Sequence, residues 1–162
     1  PMGQFEDRIP AMGLAWPPAV VVAPDVQLPF AFVNVCGNRA SVSGHGPQGP
    51  DGTVTGPFGI VGHDISVDQG YESARLVALS MLGSLHRELG TLDRISHWVK
   101  ALGMVRCGSD FTQQPAVING FSDLILELFG PEVGRHSRSA VGMTSLPFGI
   151  PVEIEAEVLL HS

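Results

Sequence analysis

The sequence predicts one α+β domain, a mixed β-sheet with two helices packed on one of its faces. Three observations predict it. Two stretches repeat apolar residues at helical spacing: Ala74, Val77, Ala78, Met81, Leu82 and Leu85 in the first, Val117, Ile118, Phe121, Leu124, Ile125 and Leu128 in the second. Stretches of strand character flank and separate them, which gives the order β-β-α-β-α-β-β. The third observation is the run Arg138 to Val158, where Val152, Ile154, Ala156 and Val158 alternate with Glu153, Glu155 and Glu157, the period of two of a half-buried strand. At 162 residues the chain suits a single domain that buries about 70% of its unfolded surface.

Residues 1–28 are expected to form an N-terminal arm with a short helix, Phe5 to Leu14, and residues 29–162 the domain itself. After the helix, Pro17, Pro18 and Pro24 interrupt an apolar run and prevent a continuous regular element, so an extended arm lying on the domain follows. Phe30–Cys36 and Arg39–Ser43 flank Gly37-Asn38, the signal of a two-residue hairpin. Gly44-His45-Gly46-Pro47-Gln48-Gly49 matches G-x-G-x-x-G, but a dinucleotide loop must open a helix, and here prolines and Asp51-Gly52 continue into turns until about residue 66.

Ser66-Val67-Asp68-Gln69 is a capping box in sequence, and the helix it opens stops at Gly90. Ile95 to Val105 follows as a strand. Pro115 suits the first turn of the second helix, which Gly130-Pro131 should stop. The run Arg138 to Val158 is expected to be two strands joined by a Pro/Gly turn, a hairpin that sets Arg138 and Glu153 about 20 Å apart along the strands. Arg135, His136 and Arg138 gather positive charge at the mouth of the first of these strands, and Glu153, Glu155 and Glu157 line one face of the second.

Composition narrows the partners. Charged residues make up 15% of the chain, against about 25% in an average soluble protein. Surface hidden by association, a homo-oligomer, accounts for the deficit; a monomer with a Gly/Ser/Thr-rich surface is the alternative. A net charge of −7 with nine Lys and Arg residues argues against nucleic acid, whose binding rests on neutralised phosphates. No apolar run approaches the roughly 20 residues of a membrane span, and no basic segment precedes an apolar stretch at the N-terminus. Cys36 and Cys107 form no disulfide framework and are expected to be small buried hydrophobes, so a reducing cytoplasm is the expected location.

The six histidines, His45, His63, His86, His97, His136 and His161, show no metal-ligand spacing, and no Gly-x-Ser-x-Gly elbow is present; neither metal nor cofactor is expected. His86 and His97 are expected on a helix and a strand, meeting solvent or a carboxylate, and His45 as an ordinary loop histidine. Arg138 offers a planar fork suited to a carboxylate; the alternative is an arginine paired with an acidic neighbour. A solvated acidic face is the bland reading of the three glutamates.

Three segments together resemble one family. The run Arg138-Ser139-Ala140-Val141, then Leu146-Pro147, then Val152-Glu153-Ile154-Glu155-Ala156, is similar to the C-terminal signature of the YjgF/RidA family, also called endoribonuclease L-PSP. Pro29-Phe30 followed by Val42-Ser43-Gly44 resembles its Pro-Tyr…Ser-Gly segment, and Asn119 stands where the family has a pocket asparagine. The resemblance implies a chorismate-mutase-like homotrimer with pockets between subunits. It implies hydrolytic deamination of 2-imino or 2-enamino acids to 2-oxo acids, as in 2-iminobutanoate/2-iminopropanoate deaminases, without a cofactor. Arg138 would clamp the substrate carboxylate and Glu153 would hold or activate water. Phe30, Ser43, Gly44, His45, Asn119 and Ala140 would line the site. Two positions depart from the pattern: Phe30 keeps the ring of a tyrosine without its hydroxyl, and Ala140 replaces a frequent cysteine, which excludes a thiol mechanism there. A non-catalytic trimer binding a small carboxylate is the alternative reading. The ribonuclease of the older family name is disfavoured by the acidic balance.

Overall fold

The backbone of residues 3–162 is described by a computed structural model; residues 1 and 2 of the expected arm lie outside the described residues. Helix α1 spans Gln4–Ala11, strands β1 Val33–Cys36 and β2 Arg39–His45, helix α2 Val67–Leu89, strand β3 Ile95–Arg106, helix α3 Gln114–Val133, and strands β4 Ser137–Met143 and β5 Val152–Leu160. The five strands form one sheet in the order β1-β2-β5-β3-β4. Only β3 and β4 run parallel; the other neighbours are antiparallel.

Local chemistry places most boundaries. Ser66 caps α2 through its side chain to the Gln69 amide while the Gln69 side chain returns to the Ser66 amide, the reciprocal box read from sequence. Gly90, at φ 83°, ends that helix in a backbone conformation costly for any other residue. The β1–β2 turn is the expected two-residue one, Gly37 at φ 62° between paired Cys36 and Arg39. Helix α3 breaks at Gly130, φ 79°, and a last turn restarts through Pro131 to Val133. Helix α1 is shorter than the expected Phe5–Leu14, because the chain turns at Met12-Gly13, Gly13 having φ 72°.

The C-terminal run departs from a hairpin. Strands β4 and β5 both form, but β3 lies between them and pairs with each. The physical reason is in the two connections. Strand β3, helix α3 and strand β4 make a parallel crossover, which brings β4 to the outer edge. Leu146–Pro151 is too interrupted by proline to be a tight turn, and it carries β5 across to the open side of β3.

The core sits between the sheet and α2 and α3. Val152, Ile154, Ala156 and Val158 of β5 and Trp98, Ala101 and Val105 of β3 are buried there against Leu82, Leu85, Ile118 and Phe121. Trp98 packs edge-on to Phe121 and Phe129. The opposite face of the sheet, with Ser41, Leu102, Ser139, Glu155 and Glu157, carries no covering element. Residues 12–32 contain no regular element and run along α2: the Trp16 ring packs 4.8 Å from His86, and Arg87 donates to the Pro17 carbonyl at 3.2 Å. Helix α1 anchors this arm through Phe5 against Phe129 and Arg8 donating to the Leu128 carbonyl at 2.6 Å. Among the described residues no helix is long and apolar enough to cross a membrane.

Cys36 is exposed at the edge of the sheet and Cys107 is half-buried, so the expectation that both are buried hydrophobes does not hold. Strand β1 is an edge strand, and the Gly37 turn that follows it leaves Cys36 uncovered.

Candidate functional site

The eight residues singled out from the sequence divide into two groups on one chain. Phe30, Ser43, Gly44, His45 and Glu153 line a cavity of about 550 Å³ where β2 and β5 meet the arm. Arg138, Ala140 and Asn119 lie at the other edge, on β4 and α3. Met104 of β3 pairs with Glu153 on one side and Val141 on the other, so Arg138 is two strands across from Glu153 and three residues along. That spacing sets their Cα atoms about 14 Å apart. They also face opposite ways. The Arg138 side chain turns towards α3, whereas Glu153 alternates with the buried Val152 and Ile154 and points away from the helices.

At the first group, Gly44 decides where the carboxylate sits. A Cβ there would lie 2.5 Å from Glu153 Oε2, so only glycine lets the carboxylate rest against the β2 backbone. Burial pushes the Glu153 pKa above its usual 4.5, and the neighbouring Glu155 adds to the shift. The result is a carboxylate that is a stronger base than an exposed one. Ser43 ties the approach to β1 by donating its hydroxyl to the Ala31 carbonyl at 2.7 Å. Phe30 meets Phe32 edge-on at 5.6 Å, and Phe32 in turn packs 5.5 Å from His45.

His45 is not a loop histidine. It closes β2 with 5% exposure, donates from Nδ1 to the Ser43 carbonyl at 2.6 Å and accepts from the Ser84 hydroxyl at Nε2, 2.8 Å. A bulge between Val42 and His45 turns its side chain inward to α2. Both ring nitrogens are spent on the fold, leaving ring carbons to the cavity.

At the second group Arg138 is held by helix α3. Its Nη1 donates to Asn119 Oδ1 at 2.8 Å and to Ser122 Oγ at 3.1 Å, and Nη2 to the Pro115 carbonyl at 3.4 Å. Ser122 in turn donates to His136 Nε2 at 2.9 Å, while His136 Nδ1 donates to the Gly134 carbonyl at 2.8 Å. Burial pulls the guanidinium pKa down from its usual value, yet an arginine stays charged in any accessible pH range. Ala140 follows two residues along on the same face of β4, opposite Gly103. No carboxylate salt-bridges Arg138 among the described residues.

Ser122 as partner of Arg138, His136 as partner of Ser122 and Ser84 as partner of His45 are not singled out from the sequence. Ser122 lies three residues after Asn119 on α3, a spacing that puts both on one helix face and is the one signal that points to it. Of the acidic face on β5, Glu155 is exposed and Glu157 pairs with Arg39. His86 lies on α2 with Nε2 3.9 Å from the buried Glu6 carboxylate, and His97 lies on β3, as expected. Among the described residues no group of three or more His, Cys, Asp or Glu is placed to hold a metal ion.

Comparison with known proteins decides the family. The model of the "YjgF/chorismate mutase-like, putative endoribonuclease" family matches residues 6–152. The chain belongs to the YjgF/chorismate-mutase-like family. Protein TCP17 of Trypanosoma cruzi is 38% identical over 161 residues, covering 99% of this chain and 96% of that protein. The crystal structure of Atu1372 from Agrobacterium tumefaciens, 34% identical, superposes with a TM-score of 0.84 and covers 97% of this chain and 92% of its own. A "putative endoribonuclease" from Shewanella oneidensis, 29% identical, superposes at 0.85 over 98% and 100%. The likeness thus extends over the N-terminal arm as well as the YjgF-like sheet and helices.

The two histidines give a pH signature. Burial is the main cause that holds both His45 and His136 below their usual 6.5. Below 6.5 the unfolded chain binds protons that the folded chain resists, so this stability is complete above that pH and is lost as pH falls through the lowered folded values. His45 alone contributes up to about 1.4 kcal/mol per pH unit within the window. Glu153 acts in the opposite sense over the range between 4.5 and its raised value. The expected outcome is a urea midpoint that is flat above pH 7 and declines from about 6.5 towards 5.5. A midpoint unchanged across that range contradicts the neutral state of the buried His45 and half-buried His136.

Proposed function

We propose that the chain is an imine/enamine deaminase, working as a homotrimer whose sites each combine Arg138 of one subunit with Glu153 of the next. The observation that carries the reading is Glu153: a carboxylate seated on Gly44 at a cavity of ligand size, with its basicity raised by burial. The separation of Arg138 from Glu153 within one chain, on opposite faces of the sheet, favours a site shared between subunits. The uncovered sheet face offers surface for such an assembly.

The chemistry follows from the two groups. The Arg138 fork, pre-oriented by Asn119 and Ser122, binds the carboxylate of a 2-imino acid. Glu153 takes a proton from water as the oxygen adds to the carbon of the protonated imine and the C=N bond becomes single, its electron pair staying on the nitrogen as a neutral amine. The same carboxyl group returns the proton to the amine nitrogen. The hydroxyl oxygen then forms the C=O double bond as the C–N bond breaks, its proton passes by way of the Glu153 carboxylate to the departing ammonia, and a 2-oxo acid and ammonium leave. An iminium carbon is already electrophilic, so the reaction calls on no cofactor.

A binder of small carboxylates without catalysis is favoured by one observation. Arg138 is already aligned by three neutral oxygens within a single subunit, an arrangement complete without Glu153. Ammonium release from freshly generated 2-imino acids separates the readings: a deaminase releases it faster than the uncatalysed rate, and a binder does not. Arg138→Lys keeps the charge and loses the fork, so affinity for a 2-oxo acid should fall about ten- to a hundredfold. Unaltered affinity in a calorimetric titration would remove Arg138 from the site.

A further inference from the structure

The cavity beside Glu153 is walled on one side by the N-terminal arm. Val20, Val21 and Val22 line it together with Phe30, Phe32 and Phe148, and Glu153 supplies a carboxylate to a lining that is otherwise largely apolar. Two of these side chains are unusually open to solvent for their type: Val21 is 64% exposed and Phe148 81%. Phe148 is also held at φ 59°, the one residue other than glycine with a left-handed backbone among the described residues. A bulky residue in that conformation stores strain, which persists only where the surroundings enforce it. Here the enforcing segment is the Pro147–Gly149 turn, whose Gly149 carbonyl accepts from the Gly59 amide at 3.2 Å. The arm is likewise fixed from behind, by Arg87 on the Pro17 carbonyl and Gln48 on the Pro18 carbonyl.

We infer that the arm and Phe148 form an apolar subsite that selects 2-imino acids with large aliphatic or aromatic side chains over small or polar ones. The inference rests on the deaminase reading for the reacting group alone; the subsite itself rests on the wall. A substrate held with its imine carbon at Glu153 has its side chain directed either to solvent or into this cavity, and apolar surface favours the latter. The volume of about 550 Å³ lies in the range of sites for small organic ligands and far exceeds what an alanine-derived side chain fills. Discrimination of this kind is worth roughly 10- to 200-fold per methylene-sized difference in a well-fitted pocket.

The test uses the full chain and two stable 2-oxo acids, 4-methyl-2-oxopentanoate and pyruvate, in calorimetric titrations. Ammonium release is measured alongside from imino acids generated by an amino-acid oxidase acting on leucine and alanine. The expected result is at least about tenfold tighter binding of the branched acid. In the double variant Val21→Ser/Val22→Ser that ratio should fall to about threefold or less. Both valines are open to solvent, so the variant should fold, and its mass in light scattering should equal the parental mass. Equal binding of the two acids, or a ratio untouched by the double variant, overturns the subsite. So does a changed mass, which would assign the valines to contacts between subunits. A branched-acid preference in binding without ammonium release supports the subsite and sinks the deaminase reading. Ammonium release at equal kcat/KM from both substrates, with equal binding, does the reverse.

Discussion

Glu153→Gln is expected to leave a folded protein that still binds a stable 2-oxo acid and to lower the proposed ammonium-releasing turnover by about a hundredfold or more. Glutamine keeps the length and planar end of the side chain, so it can occupy the place on Gly44 that the carboxylate fills. What it lacks is a site for the proton that water must give up. Burial makes the parental carboxylate a better base than an exposed glutamate, and this is the contribution the variant removes. Binding should change little, because the substrate carboxylate is assigned to Arg138. Initial rates with oxidase-generated imino acid, beside a titration with the product 2-oxo acid, separate the two effects. A Glu153→Gln protein with the parental rate would show that Glu153 is not the base.

Gly120→Ala is expected to cost about 3 kcal/mol or more of stability, among the largest single effects in the molecule. Gly120 lies on α3 where that helix crosses α2, and a Cβ there would overlap the carbonyl oxygen of Tyr71. The obstacle is backbone, not the end of a flexible side chain. Helix α2 cannot step back without lifting Ala74, Val77 and Ala78 from a core in which all three are fully buried. Glu127→Ala, on the exposed side of the same helix, serves as the control and should stay within about 0.5 kcal/mol of the parent. Urea unfolding measures both. Equal stability of the Gly120→Ala protein would contradict the close approach of the two helices.

The two helices and most strands are legible in the sequence because each is announced by local chemistry. The Ser66–Gln69 box, the Gly37-Asn38 turn and the alternation of Val152 to Val158 act within a few residues, and each forms as read. The order of strands is not legible in the same way. Arg138 and Glu153 are close in sequence, and only the crossover through α3 places β3 between their strands. A pattern of apolar residues fixes which face of a strand is buried, not which strand is its neighbour. That is why a hairpin is the natural expectation and why the opposite orientation of the two side chains leaves no mark in it.

The candidate site shows the same division. Residue types at 138, 153, 44 and 119 can be singled out by resemblance and by the chemistry of their side chains. Their partners cannot. Ser122 reaches Arg138, and His136 reaches Ser122, through a helix–strand packing of which only the Asn119–Ser122 spacing leaves a local trace, and Ser84 reaches His45 across 39 positions. The arm valines read as part of an extended arm broken by three prolines; only their place beside Phe30 and Phe148 in the cavity lining makes them part of a wall.

The central claim is that one site needs Arg138 from one subunit and Glu153 from another. Mixed oligomers test it most directly. Arg138→Ala and Glu153→Gln subunits, each nearly inactive alone, are unfolded together in equal amounts, refolded and assayed for ammonium release. In a cyclic assembly with random mixing, a shared site finds both parental residues in about a quarter of its interfaces, so about a quarter of the parental activity should return. A mixture no more active than the two variants measured separately would contradict the account.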